Sequence, residues 1–138
     1  MNRYLLDTNV VSELRKPKPD GAVLAWFNEL QETQLCLSVV TIGELQTGVE
    51  LTRAQDPHKA AQIEAWIDLL EQSFQVLPMN ALCFREWARL MSSWRDDLLE
   101  DAMIAATARV HDLVVATRNE RDFTSLDVQI SNPFKTSR

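Results

Sequence analysis

The sequence predicts an α/β fold, a three-layer α/β/α sandwich around a central, mainly parallel sheet. Short apolar runs bounded by polar residues alternate along the chain with longer segments whose apolar residues recur every three or four positions, the signatures of buried strands and amphipathic helices. Strands alternating with helices call for crossover connections, and right-handed crossovers place helices on both faces of a parallel sheet. The length, 138 residues, suits one domain over 1–138 with a substantial core and no linker or internal repeat.

The first strand is the run Tyr4-Leu5-Leu6, which closes on the carboxylate of Asp7. A short helix from Asn9 to about Leu14 follows, and Pro17 and Pro19 stop it. Asp20 is the expected N-cap of a helix to about Gln31, with Val23, Phe27 and Leu30 on one face. The β-branched stretch from Gln34 to Val40 reads as the second strand. Thr41-Ile42-Gly43-Glu44 then matches a capping box, with Glu44 in the first turn of a helix to about Arg53.

Asp56-Pro57 opens the next helix as an N-cap followed by proline at the first helical position. Ile63, Trp66, Ile67, Leu70 and Phe74 give it an apolar stripe. A strand over Gln75–Leu77 ends at Pro78, and from Asn80 a helix carries Phe84, Trp87, Met91 and Trp94 toward the core. Ser92 to Asp97 is a polar loop, followed by a helix from about Glu100 to Val110 rich in small residues that let it lie close to a sheet. Leu113–Ala116 is the clearest strand, Thr117–Phe123 a turn or short helix, and Val128–Ile130 an edge strand before a polar tail.

The 46% hydrophobic and 25% charged composition is that of an ordinary globular protein. No apolar run reaches membrane-spanning length, and the first apolar stretch is too short for a secretory signal, so the expected compartment is the cytoplasm, with no membrane partner. Cys36 and Cys83 lack metal-ligand spacing and lie in apolar surroundings, as reduced core thiols do. A net charge of −6 argues against a general nucleic-acid binder. It leaves room for a nuclease, because carboxylates that hold divalent cations are counted as negative in the formal sum.

Asp7, Glu44, Asp101 and Asp122 all fall at or near element junctions. In a parallel sheet the carboxyl ends of the strands share one edge, where the amino ends of the following helices also lie. Each acid taken alone has a structural role available, as a cap, a dipole partner or a turn residue. Together on one edge they form a candidate metal site. Close carboxylates repel unless protonated or neutralised, and an all-oxygen set selects a hard ion such as Mg²⁺ or Mn²⁺. Such an ion acidifies water and steadies an in-line phosphoryl transition state, which points to phosphodiester hydrolysis.

The stretches LLDTNVVSEL, SVVTIGELQTGV, LEDAMIAATA and LVVATRNERDF with a terminal NPF resemble, in that order, a PIN domain of the VapC toxin type. The resemblance runs from Tyr4 to about Phe134. It implies a metal-dependent endoribonuclease, a cognate VapB-type antitoxin as partner, RNA as substrate and a homodimer. Asp7 and Asp101 match the direct metal ligands, with Glu44 and Asp122 completing the shell or orienting water. Many relatives carry an aspartate where this chain has Asn119, which implies one firmly held ion and a second only with substrate. Asn9, Thr117, Asn119 and Arg118 are candidate substrate contacts, Asn9 and Thr117 being placed to hydrogen-bond either the carboxylates or a substrate phosphate, with Arg15, Lys16 and Arg121 as further contacts to the RNA backbone.

Three other readings fit the same length or fold. A receiver-like signalling module needs a phosphoacceptor Asp after the third strand and a Lys after the strand at Val114; this chain has Pro78-Met79-Asn80 and no such Lys. A haloacid-dehalogenase-like phosphatase needs DxD after the first strand, where Asp7-Thr8-Asn9 stands. A binding-only PIN domain is disfavoured by the retained acids.

Overall fold

The computed structural model describes residues 1–93 and 98–135. Its centre is a sheet of five parallel strands, β1 (Tyr4–Leu6), β2 (Leu35–Ser38), β3 (Gln75–Leu77), β4 (Val114–Ala116) and β5 (Ile130–Ser131), in the order β3-β2-β1-β4-β5. Alternation along the strands divides the core. Leu5, Cys36, Leu77 and Val115 face one side, whereas Leu6, Leu35, Leu37 and Ala116 face the other.

Among the described residues seven α-helices cover the sheet: α1 (Thr8–Arg15), α2 (Gly21–Asn28), α3 (Val39–Arg53), α4 (Pro57–Ser73), α5 (Ala81–Leu90), α6 (Leu99–His111) and α7 (Glu120–Thr124). Ala102, Ile104, Ala105 and Ala108 of α6 pack on the Leu5 side, and their short side chains bring that helix close to the strands. Val10 and Val11 of α1, Val23 of α2 and Leu70 of α4 close the Leu6 side. Val49, Ala60 and Ile67 form a third cluster between α3 and α4. The three-layer sandwich is as expected, and both cysteines are buried and free.

Helix starts follow local chemistry. Asp20 accepts from the backbone N–H groups of Ala22 and Val23, Asp56 from Lys59 behind Pro57, and Asn80 from Cys83. The second acidic motif departs from its expected form. Ser38, not Thr41, caps α3 by accepting from the Val40 N–H. There is no capping box, and Glu44 stands in the second turn. The physical reason is pairing: β2 runs only as far as its neighbour, Ser38 lying opposite Leu77, after which Val39 and Val40 join the helix despite their β-branched side chains.

Three smaller differences have similar causes. α2 ends at Asn28 rather than near Gln31. The edge strand pairs at Ile130–Ser131, after a left-handed Asp127 (φ 53°) turns the chain. On α5 and just beyond it, Trp87 and Met91 pack on the core as expected, beside Cys83 and Leu90, but Phe84 stays 44% exposed and packs edge-on against Trp87. Trp94 and the end of the expected loop at Asp97 lie outside the described residues.

Strand order sets the location of the site. The chain leaves β1 toward β2 on one side, and β4 returns on the other side of β1, so a crevice opens at the carboxyl ends of β1 and β4. Asp7 directly follows one of these strands and Thr117 the other.

Candidate active site

Asp7 lies at the floor of this crevice, 4% exposed. Its backbone continues the ladder, its N–H donating to the Ala116 carbonyl at 2.9 Å. Three donors hold its carboxylate: the Thr8 N–H to Oδ1 (2.8 Å), the Asn9 amide to Oδ2 (3.1 Å) and the Thr117 hydroxyl to Oδ2 (2.8 Å). Asp7 is therefore both the N-cap of α1 and a fixed carboxylate. Burial still dominates and holds its pKa above the usual range, against the pull of Thr117, Thr8 and Asn9.

The other acids arrive on helices. Glu44 of α3 accepts from the Thr8 hydroxyl at 2.5 Å, and its pKa is raised chiefly by burial, with Asp7 and Glu100 adding repulsion. Asp101, in the first turn of α6, is pushed up to about 7 by burial and then by the charges of Asp7, Asp122, Glu44 and Glu100. Asp122 stands half-buried in the first turn of α7. The charges of Asp7, Asp122 and Glu44 therefore all reach Asp101. Glu100 adds a fifth charge to the group.

The predicted polar contacts divide into two sets. Asn9 bridges Asp7 to the next loop, its Oδ1 accepting from the Arg118 N–H at 3.2 Å. Thr117 is fully buried, and its hydroxyl oxygen accepts from the Asn119 N–H at 2.9 Å. Arg118 is exposed, its guanidinium carbon 3.8 Å from the Phe134 ring centroid. Asn119 is exposed at the start of α7. The basic residues after the first motif face other partners: Lys16 pairs with Glu13 at 2.9 Å, and Arg15 lies over Trp66. Arg121 is exposed. The sequence reading missed Thr8, although it sits between Asp7 and Asn9 in the motif already singled out.

Among the described residues, no three Asp, Glu, His or Cys side chains form a ready-made metal cage. The donors at this edge are nevertheless all carboxylate and hydroxyl oxygens. Their mutual repulsion, largest at Asp101, is what a hard divalent cation relieves, so the residues suit Mg²⁺ or Mn²⁺ in donor type and charge.

A fold with its site at this edge is one that sequence comparison can place, and the PIN domain family model matches residues 4–129. The chain belongs to the PIN domain family. This PIN domain is 35% identical over 136 residues to VapC ribonuclease Y4jK of Sinorhizobium fredii, covering 95% of this chain and 97% of that protein. It is 34% identical over 140 residues to Toxin FitB of Neisseria gonorrhoeae, covering 94% and 97%. The crystal structure of FitAcB from Neisseria gonorrhoeae superposes with a TM-score of 0.79 at 35% identity, over 95% of this chain and 98% of the other. Among the described residues no helix is long and apolar enough to cross a membrane.

Proposed function

We propose that this chain, as a single PIN domain over 1–138, is a divalent-metal-dependent endoribonuclease and the toxin of a toxin–antitoxin pair, acting in the cytoplasm. One observation carries the reading. Carboxylates from four separate elements stand at the carboxyl end of the sheet, the charges of Asp7, Asp122 and Glu44 all acting on Asp101, and among the described residues no Lys or Arg pairs with any of them. Acids held unneutralised in this way suit a cation brought from solution. The relatives named a VapC ribonuclease and a toxin support the same reading.

Asp7 and Asp101 would hold Mg²⁺ or Mn²⁺, with Glu44 and Asp122 completing the shell or orienting the attacking water. Bound there, the ion supplies acidification of water and neutralisation of charge building on the phosphodiester. The protein's part is positional: Thr8, Asn9 and Thr117 lock the Asp7 carboxylate, and Arg118, braced on Phe134 in the loop after β4, would present an exposed cation for the RNA backbone. Asn119, exposed at the start of α7, would offer a further phosphate contact. A VapB-type antitoxin is the proposed partner and a homodimer the proposed assembly.

The test is cleavage of mixed cellular RNA by the purified, partner-free chain, with Mg²⁺ or Mn²⁺ against EDTA, beside Asp7→Asn. Metal-dependent cleavage that disappears in Asp7→Asn supports the reading. A folded, partner-free chain that cuts no RNA with either ion points instead to a binding-only PIN domain.

A further inference from the structure

We propose that Thr8 is a positioning residue that couples the first two acids, and that it works through a hydroxyl relay from Thr41 to Thr8 to Glu44. This rests on the proposed metal-dependent reading of the same edge.

Thr8 makes two contacts in different directions. Its backbone N–H donates to Asp7 Oδ1 at 2.8 Å, and its hydroxyl lies 2.5 Å from Glu44 Oε1. A second hydroxyl, that of Thr41, lies 3.2 Å from the same Thr8 oxygen. A threonine hydroxyl has one proton to give and two lone pairs to offer. The carboxylate has none to give, so the Thr8 proton goes to Glu44, where a charge-assisted bond is the stronger. Thr41 then donates to Thr8.

Thr41 is fully buried on the α3 face turned toward α1, so its hydroxyl is satisfied through Thr8. The relay joins the first residue of α1 to two successive turns of α3. Thr8 has two χ1 wells open to it in a helix, and its contacts to Glu44 and Thr41 select one of them. Glu44 Oε1 is thereby tied, at one residue's remove, to the carboxylate of Asp7. Thr117 treats Asp7 Oδ2 in the same manner at 2.8 Å, so a hydroxyl pins one oxygen of each acid.

The test uses the partner-free chain and Mn²⁺, read as free Mn²⁺ by electron paramagnetic resonance, with thermal melting as the control for folding. Thr8→Val keeps the shape and removes the proton. It should weaken Mn²⁺ binding roughly tenfold, whereas Thr8→Ser, which keeps the donor, stays within about threefold of the parent. Thr41→Val touches no acid and should weaken Mn²⁺ binding by a smaller factor, about threefold. The double variant Thr8→Val/Thr41→Val should bind no worse than Thr8→Val, since both changes break one chain. A folded Thr8→Val that binds Mn²⁺ like the parent, a Thr8→Ser as defective as Thr8→Val, or an indifferent Thr41→Val overturns the relay alone. A parent chain that binds no Mn²⁺ overturns the metal-dependent reading together with the relay.

Discussion

Helix α6 carries acidic chemistry at one end and its neutralised counterpart at the other. In its first turn Asp101 meets Asp7, Asp122, Glu44 and Glu100, and its pKa rises to about 7. In its last turn Arg109 pairs with Glu86 at 2.6 Å and with Asp127 at 3.1 Å, and also donates to the Asp127 carbonyl. There the pKa of Glu86 falls, first because of Arg109. Both ends suit the helix dipole, which favours acids at the amino end and bases at the carboxyl end. The dipole therefore does not distinguish them. What differs is that one group of acids is given its cation by the chain, whereas among the described residues no Lys or Arg pairs with the other.

The sharpest way to break this comparison is Asp101→Asn. If the amino end of α6 is a site, RNA cleavage should fall by at least about 100-fold, more than the loss of an outer-shell partner produces. The metal-free protein should melt at an equal or higher temperature, because a repelling charge has gone. A melting point several degrees lower, or retained cleavage, would place Asp101 among the structural acids.

Arg118→Ala tests the exposed basic residue braced on Phe134. RNA binding should weaken about tenfold across sequences, and the slope of log affinity against log salt should flatten by about one. An unchanged salt slope would remove Arg118 from the RNA interface.

At the other end, Arg109→Ala should cost about 1 kcal/mol of stability by chemical denaturation, the upper range for an exposed ion pair. Cleavage at saturating metal should stay within about twofold, since nothing at this end touches the acids. Loss of activity without loss of stability would merge the two ends into one functional unit.

The smallest effect concerns pH. An acid whose folded pKa is raised binds its proton more tightly when folded than unfolded, where an Asp sits near about 3.9. Its contribution to stability is thus complete below that value and is lost as pH rises to about 7. Glu86 and the other acids with lowered pKa act below their ordinary range, leaving the interval from about 5 to 7 to the raised group. In EDTA the melting temperature of the parent should fall across that interval, and Asp101→Asn should flatten the fall. Added Mn²⁺ should restore the parent chiefly at the upper end. Identical slopes for the parent and Asp101→Asn would refute this.

Most elements were legible because their signals are local. Asp20, Asp56 and Asn80 cap helices with their own side chains, and Leu113–Ala116 could be buried only as a strand or a core helix too short to form. The start of α3 was not, because Ser38 and Thr41 are both competent caps. The choice between them came from where β3 stops supporting β2. Phe84 shows the same limit: three- and four-residue spacing defines a stripe that Trp87 and Met91 follow into the core, but the rotation of the helix on the sheet buries Cys83 and leaves Phe84 out.

By itself the sequence determined the strand–helix alternation, the parallel sheet and the acids Asp7, Glu44, Asp101 and Asp122, since periodicity and capping act within a few residues. Only the tertiary structure decided that these acids feel one another, that Thr8 reaches Glu44 across two helices, and that Arg109 is spent on Glu86 at the far end of α6. The reason is that charge and hydrogen bonding depend on distance in space, which strand order and register set and no local pattern contains.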